Sequence, residues 1–142
     1  KGVDNLENPN LKVSINDLSS LLKKWFTSMP NPLIPVEALK AFESQVTRQS
    51  YIDFIDLLER CNQATLIYLI GFLQDMLQYS DVTRMNERNL AICFSSSILR
   101  VPDTYKPEII TQYSTMSINF LENLILKLDT SEMFPLDDNL VQ

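Results

Sequence analysis

Apolar residues along this chain recur at intervals of three and four rather than two, the spacing of helices that bury one face. In the first clear case Leu18, Leu21, Leu22, Trp25 and Phe26 form one stripe, while Lys23 and Lys24 fall outside it. Trp25 and Phe26 are both expected in the core. Ser14 offers a hydroxyl cap and Asp17 a carboxylate for the first turn of this helix. Pro30, Pro32 and Pro35 then end it, since each lacks an N–H and disfavours a helical predecessor.

Helical spacing resumes in "PVEALKAFESQV", with Pro35 at or near the first turn. A third helix is expected over "SYIDFIDLLERC" with Ser50 as its cap, and a fourth over "NQATLIYLIGFLQDMLQYS" with Asn62 as its cap. Leu66, Ile67, Leu69, Ile70, Phe72, Leu73, Met76 and Leu77 surround nearly the whole cylinder of that fourth helix. A helix apolar on most sides belongs in the middle of a bundle, so about residues 62–79 are expected to be central, with about six helices packed there. Gly71 inside it is expected to admit the close approach of a neighbouring helix. "SDVTRM" is a connector, and Asn86 caps "ERNLAICF", which is expected to loosen at Ser95, Ser96 and Ser97 because serine hydroxyls compete for backbone hydrogen bonds. After the turn "VPDTYKP", a long helix carries a stripe of Ile110, Tyr113, Phe120, Leu121, Leu124 and Leu128. The fold class is all-α, a single domain over 1–142: a connector over 1–13, a helical core over 14–130 and an acidic tail over 131–142. The chain begins at Lys1, and an N-terminally incomplete domain is expected.

Composition narrows the function. The chain has 142 residues with 45% hydrophobic and 21% charged, values ordinary for a globular domain. Its formal net charge is −6, and no basic stripe for nucleic acid is visible. No apolar run reaches the roughly 20 residues of a membrane span. Histidine is absent, which removes Ser-His-Asp and Cys-His catalysis and the usual zinc sites from this chain alone. Two isolated glycines cannot build a phosphate-cradling loop. The carboxylates of Glu59, Asp75 and Glu122 sit on polar helix faces, without the apolar surroundings that raise a pKa. Cys61 and Cys93 each lie in an apolar run without CxxC spacing, and are expected to be buried, reduced thiols.

Two segments carry a resemblance. "LLKKWFTSMPNPLIP" is similar to the run in which a helix bearing a lysine and an arginine leads into Leu-Pro-x-Pro-Leu, and "TLIYLIGFLQDMLQYSDVTRMNERNLAICFSSSILR" resembles a long apolar helix followed by Asn-Leu-Ala-x-x-Phe-Gly-Pro-Asn-Leu-Leu. Both belong to the Rho GTPase-activating protein (RhoGAP) family, and the resemblance extends over about residues 1–130. It implies an all-α domain whose partner is the GTP-bound form of a Rho-family small GTPase, with no cofactor, no nucleic acid, no membrane span and a cytoplasmic setting. Lys23 falls on the family's interface lysine, and Thr27 where many members carry an arginine that supports the catalytic loop. Asn89 matches the asparagine of Asn-Leu-Ala, and Ser97 stands where the later, GTPase-contacting asparagine lies. Ser95 and Ser96 replace Gly-Pro, Arg84 takes the place of the basic residue before Met85, and Arg100 is expected to rim the interface.

The family's arginine finger lies in a Gly-x-x-Arg loop upstream of these motifs, and no such loop occurs in this sequence. The resemblance therefore implies activation within a longer protein that supplies the finger. The alternative is a catalytically silent GAP-like scaffold, which Thr27 and Ser97 favour. Either way the chain is expected to be a GTPase activator or GTPase-binding domain, not an enzyme with its own active site.

Overall fold

The computed structural model describes residues 15–41 and 47–130. Among them are seven helices and no strand: α1 (Ile15–Ser28), α2 (Val36–Ala41), α3 (Arg48–Asp56), α4 (Arg60–Leu77), α5 (Ser80–Thr83), α6 (Glu87–Ile98) and α7 (Pro107–Lys127). The all-α class follows the helical spacing of the sequence. The expected cap at Ser14 and the segments 1–13 and 131–142 lie outside the described residues.

The break after α1 has a packing purpose. Leu33 and Ile34, set between prolines, are fully buried. Their backbone is pinned on both sides: the Ile34 N–H donates to the Ile98 carbonyl at 3.0 Å, and Asn62 Nδ2 donates to the Leu33 carbonyl at 3.2 Å. The prolines thus turn the chain so that two aliphatic side chains enter the core where a continuing helix could not place them. Pro35 then starts α2, its carbonyl accepting from the Ala38 and Leu39 N–H groups.

Helix starts differ in part from expectation. The hydroxyl of Thr47, not Ser50, caps α3, accepting from the Ser50 N–H at 3.3 Å. The fourth helix begins before Asn62, at Arg60, with Glu59 preceding it and making no side-chain cap bond. Asn62 is inside the helix and serves Leu33 instead. Asn86 does cap α6, its Oδ1 accepting from the Asn89 N–H at 2.8 Å, and Pro107 occupies the first turn of α7.

The heart of the bundle is the pairing of α6 with α7. Leu90, Ala91, Phe94 and Ile98 of α6 and Phe120, Leu121 and Leu124 of α7 are buried there. Ser95 and Ser117, both buried, lie on this seam. The serine run therefore does not loosen α6, which continues to Ile98; a small side chain in the seam lets the helices close up. Outside the seam Arg88 holds α7 through Glu122 and Asn119, each at 2.7 Å. From α3, Phe54 meets Phe120 edge-on with centroids 4.9 Å apart.

The fourth helix, α4, contributes Leu66, Leu69, Ile70 and Leu73 to the same core. It is not covered on every side, however: Tyr68 is 70% exposed and Phe72 is also exposed. The long apolar circumference is split between a core-facing stripe and an outer groove shared with α1. Gly71 meets Thr130, three residues beyond α7, rather than a helix, since a Cβ there would stand 3.4 Å from Thr130 Oγ1. Beside it Gln74 reaches two carbonyls at the end of α7, Ile125 at 2.9 Å and Leu128 at 2.6 Å, while its Oε1 accepts from Thr130 Oγ1. No helix of the described residues is long and apolar enough to cross a membrane.

Three burial expectations are corrected. Trp25 is 54% exposed, at the edge of the α1 stripe, because Phe26 takes the inward position. Cys61 and Cys93 are both exposed. Each lies in an apolar run, but on a face of α4 or α6 turned from the core.

Candidate functional site

Helices α1 and α6 lie side by side and run the same way. Ser19 and Lys23 of α1 share a recess with Leu90 and Cys93 of α6, and one end of α1 meets Arg100 just beyond α6. Met85 and Thr83, from the connector between α4 and α6, close the recess at one end. It measures about 550 Å³ and is mostly apolar, with the Lys23 side chain on its margin.

Each expected site residue has a place relative to this recess. Lys23 is half-buried at its rim. Thr27 is exposed one turn farther along α1, and its Oγ1 donates to the Lys23 carbonyl at 2.8 Å. Arg84 lies between Thr83 and Met85 with its backbone in the left-handed region, φ 57°. That conformation disfavours a non-glycine residue and ends the short α5, the Arg84 N–H donating to the Ser80 carbonyl. Asn89 Nδ2 donates to the Arg84 carbonyl at 3.3 Å, so the asparagine stabilises this turn. Asn89 and Arg84 are both exposed. Lys23, Arg84 and Asn89 thus lie about the recess near the start of α6, whereas Thr27 stands at the end of α1 beside Arg100.

Two expected contact residues are less exposed than Thr27, Arg84 and Asn89. Ser97 is 6% exposed, because it falls on the inward side of α6, one residue before Ile98. Arg100 is half-buried, with its guanidinium turned to the end of α1. Its Nη1 donates to the Thr27 carbonyl at 2.9 Å and its Nη2 to the Met29 carbonyl at 2.6 Å. Conversely, Cys93 and Phe72 line the recess, although their sequence context marked them as core, and Met85 of the expected connector joins them. Cys93 stands four residues after Asn89, one helical turn along the same face, and that interval was the available signal.

Comparison with known proteins identifies the family of the chain. The model of the RhoGAP domain matches residues 2–103. The chain is 31% identical over 114 residues to SLIT-ROBO Rho GTPase-activating protein 3 of Mus musculus, covering 75% of this chain and 10% of that protein. It is 26% identical over 116 residues to Rho GTPase-activating protein 1 of Arabidopsis thaliana, covering 82% of this chain and 24% of that protein. GTPase activating protein homolog 4 of Dictyostelium discoideum is 40% identical over 90 residues, 61% of this chain and 10% of its own length. The chain therefore spans between a tenth and a quarter of these relatives. In fold it resembles the crystal structure of human Rho GTPase activating protein 15, with a TM-score of 0.70 at 21% identity, covering 90% of this chain and 65% of that one.

These findings overturn one expectation from the sequence, that the chain is a GTPase activator or GTPase-binding domain and not an enzyme with its own active site. Proteins of the matched family stimulate GTP hydrolysis, and the denial of enzyme status is withdrawn on that ground. With the family model covering most of its length and the α1–α6 motifs in place, the chain belongs to the RhoGAP domain family.

Proposed function

We propose that this chain binds the GTP-bound form of a Rho-family small GTPase in the cytoplasm and takes part in stimulating its GTP hydrolysis. The observation that carries the reading is the convergence of Lys23 with the Arg84–Asn89 turn around one apolar recess, although these residues lie far apart in sequence. A surface with an apolar centre and a polar rim suits protein recognition. The Lys23 ammonium would meet a carboxylate or carbonyl of the partner, and the recess between Met85, Phe72 and Cys93 would take an apolar side chain. Arg84 and Asn89, both exposed, supply rim contacts.

The GTPase itself holds the nucleotide and Mg²⁺, so the activating protein works by positioning and by charge. In this chemistry an arginine finger neutralises charge on the transferred phosphoryl group and contributes roughly 10³–10⁵ in rate. The longer protein would supply that arginine, and the α1–α6 face would hold the GTPase against it. Membership of a family whose relatives are named as activating proteins favours this over a silent scaffold.

The test is titration of the chain against Rho-family GTPases loaded with a non-hydrolysable GTP analogue or with GDP. Binding to the GTP-like form is expected, and Lys23→Ala should weaken it by about 1–3 kcal/mol. Equal affinity of wild type and Lys23→Ala for every GTPase would refute the assignment of this face.

A further inference from the structure

A cation placed one turn beyond a helix, on another element, can act on what that helix presents. The last turn of α1 contains no basic residue. The carbonyls there have no partner within the helix and form the negative end of its dipole. Thr27 and Met29 lie at this end, and the guanidinium that satisfies both carbonyls comes from position 100, 73 and 71 residues away in sequence. Arg100 is half-buried, and its Nε is buried without a hydrogen-bond partner. The two Nη groups are thus committed to α1, and the planar guanidinium fixes two points at once. Arg100 also directly follows the buried pair Ile98 and Leu99 at the end of α6, and Ile98 accepts the Ile34 N–H.

We infer that Arg100 is a positioning residue: it locks the C-terminal end of α1 to the end of α6 and so sets where Lys23 and Thr27 stand relative to Asn89 and the recess. The inference rests on the reading of the α1–α6 face as the GTPase-binding surface. Lys23 lies one turn before Thr27, and the Thr27 hydroxyl is bonded to the Lys23 carbonyl. A shift at the Thr27 carbonyl is therefore passed along one helical turn to the lysine. Lysine at position 100 would keep the charge, but as a point donor it would not hold two carbonyls in one plane.

The test uses Arg100→Gln and Arg100→Lys in the chain, each with and without Lys23→Ala. Two quantities are read: amide hydrogen exchange over the residues that follow α1, and affinity for a Rho-family GTPase carrying a non-hydrolysable GTP analogue. Arg100→Gln should speed exchange at the end of α1 and weaken binding roughly three- to tenfold, with Arg100→Lys in between. Lys23→Ala should then cost less in the Arg100→Gln background than in wild type, because the lysine is already misplaced. Strict additivity of the two substitutions, or unchanged exchange in Arg100→Gln, would overturn the inference. The GTPase reading fails separately, by absence of binding in the wild-type chain. Faster exchange in Arg100→Gln under that outcome would reduce Arg100 to a structural clamp and overturn its positioning role. Arg100→Lys, which retains the cation, carries the test if Arg100→Gln does not fold.

Discussion

Gln74 offers a sharp test of how α4 and α7 are held together. Its Nε2 donates to the carbonyls of Ile125 and Leu128, at the end of α7 where carbonyls lack partners in the helix. Carbonyls only accept, so the amide nitrogen must point at them and Oε1 must take the Thr130 hydroxyl. Gln74→Glu keeps the shape, replaces the double donor with an oxygen that cannot donate when ionised, and adds negative charge at the negative end of the α7 dipole. Two net hydrogen bonds at about 1 kcal/mol each, plus repulsion between the carboxylate and two carbonyls, give an expected loss of about 2–4 kcal/mol at neutral pH. For a chain of this length that lowers Tm by about 10 °C. Gln74→Met, which loses the donors without adding charge, should cost about 1–2 kcal/mol.

The pH dependence separates repulsion from simple loss of contact. The new carboxyl faces acceptors, so its folded pKa lies above the unfolded value of about 4.3. The charge penalty is present above the folded pKa and fades as pH falls through it towards the unfolded value. Once protonated, the carboxyl has one O–H to give, and part of the deficit should be recovered. The assay is urea unfolding of wild type and both variants between pH 7 and pH 4. A Gln74→Glu variant within about 0.5 kcal/mol of wild type at pH 7, or a deficit that does not shrink at pH 4, would refute the reasoning.

Gly71→Ala should stabilise the chain by about 0.5–1 kcal/mol, the helix-propensity gain, because the new methyl meets Thr130 at ordinary contact distance; a clear loss in thermal unfolding would mean that the segment after α7 cannot yield. Cys61 and Cys93 should both react in the native chain with a thiol reagent, and a bulky adduct on Cys93, beside Lys23, should weaken GTPase binding while one on Cys61 should not. Protection of either thiol before unfolding would contradict their exposure. Tyr51 is pushed up to about 12 by burial, so an unfolded chain loses its phenolic proton first. Stability present below about pH 10 should decline as pH rises towards 12, which denaturant midpoints over that range would check.

Local rules accounted for much of the framework. Prolines 30, 32 and 35 ended α1 and opened α2, Asn86 capped α6, and Pro107 entered α7. These effects act within a few residues, so a linear pattern reports them faithfully. The resemblance also brought Lys23 and Asn89 into one hypothesis before any geometry was available.

What the sequence left open was which part of each apolar face would be covered. Spacing sets the width of a stripe, but a neighbouring helix decides where on that stripe the boundary with solvent falls. Phe26 went inward and Trp25 outward on α1, and the cysteines of α4 and α6 lay beyond the covered arc. On α6, by contrast, Ser97 fell under cover. Long-range polar bonds were the least legible, because an arginine after a helix looks solvated until the end of another helix presents its carbonyls. Arg100 and Gln74 acquired their partners only when α1 met α6 and α4 met α7, at separations of 51 to 73 residues. Tertiary packing alone makes those carbonyls available, since a helix end is defined locally but its partner is chosen by what folds against it.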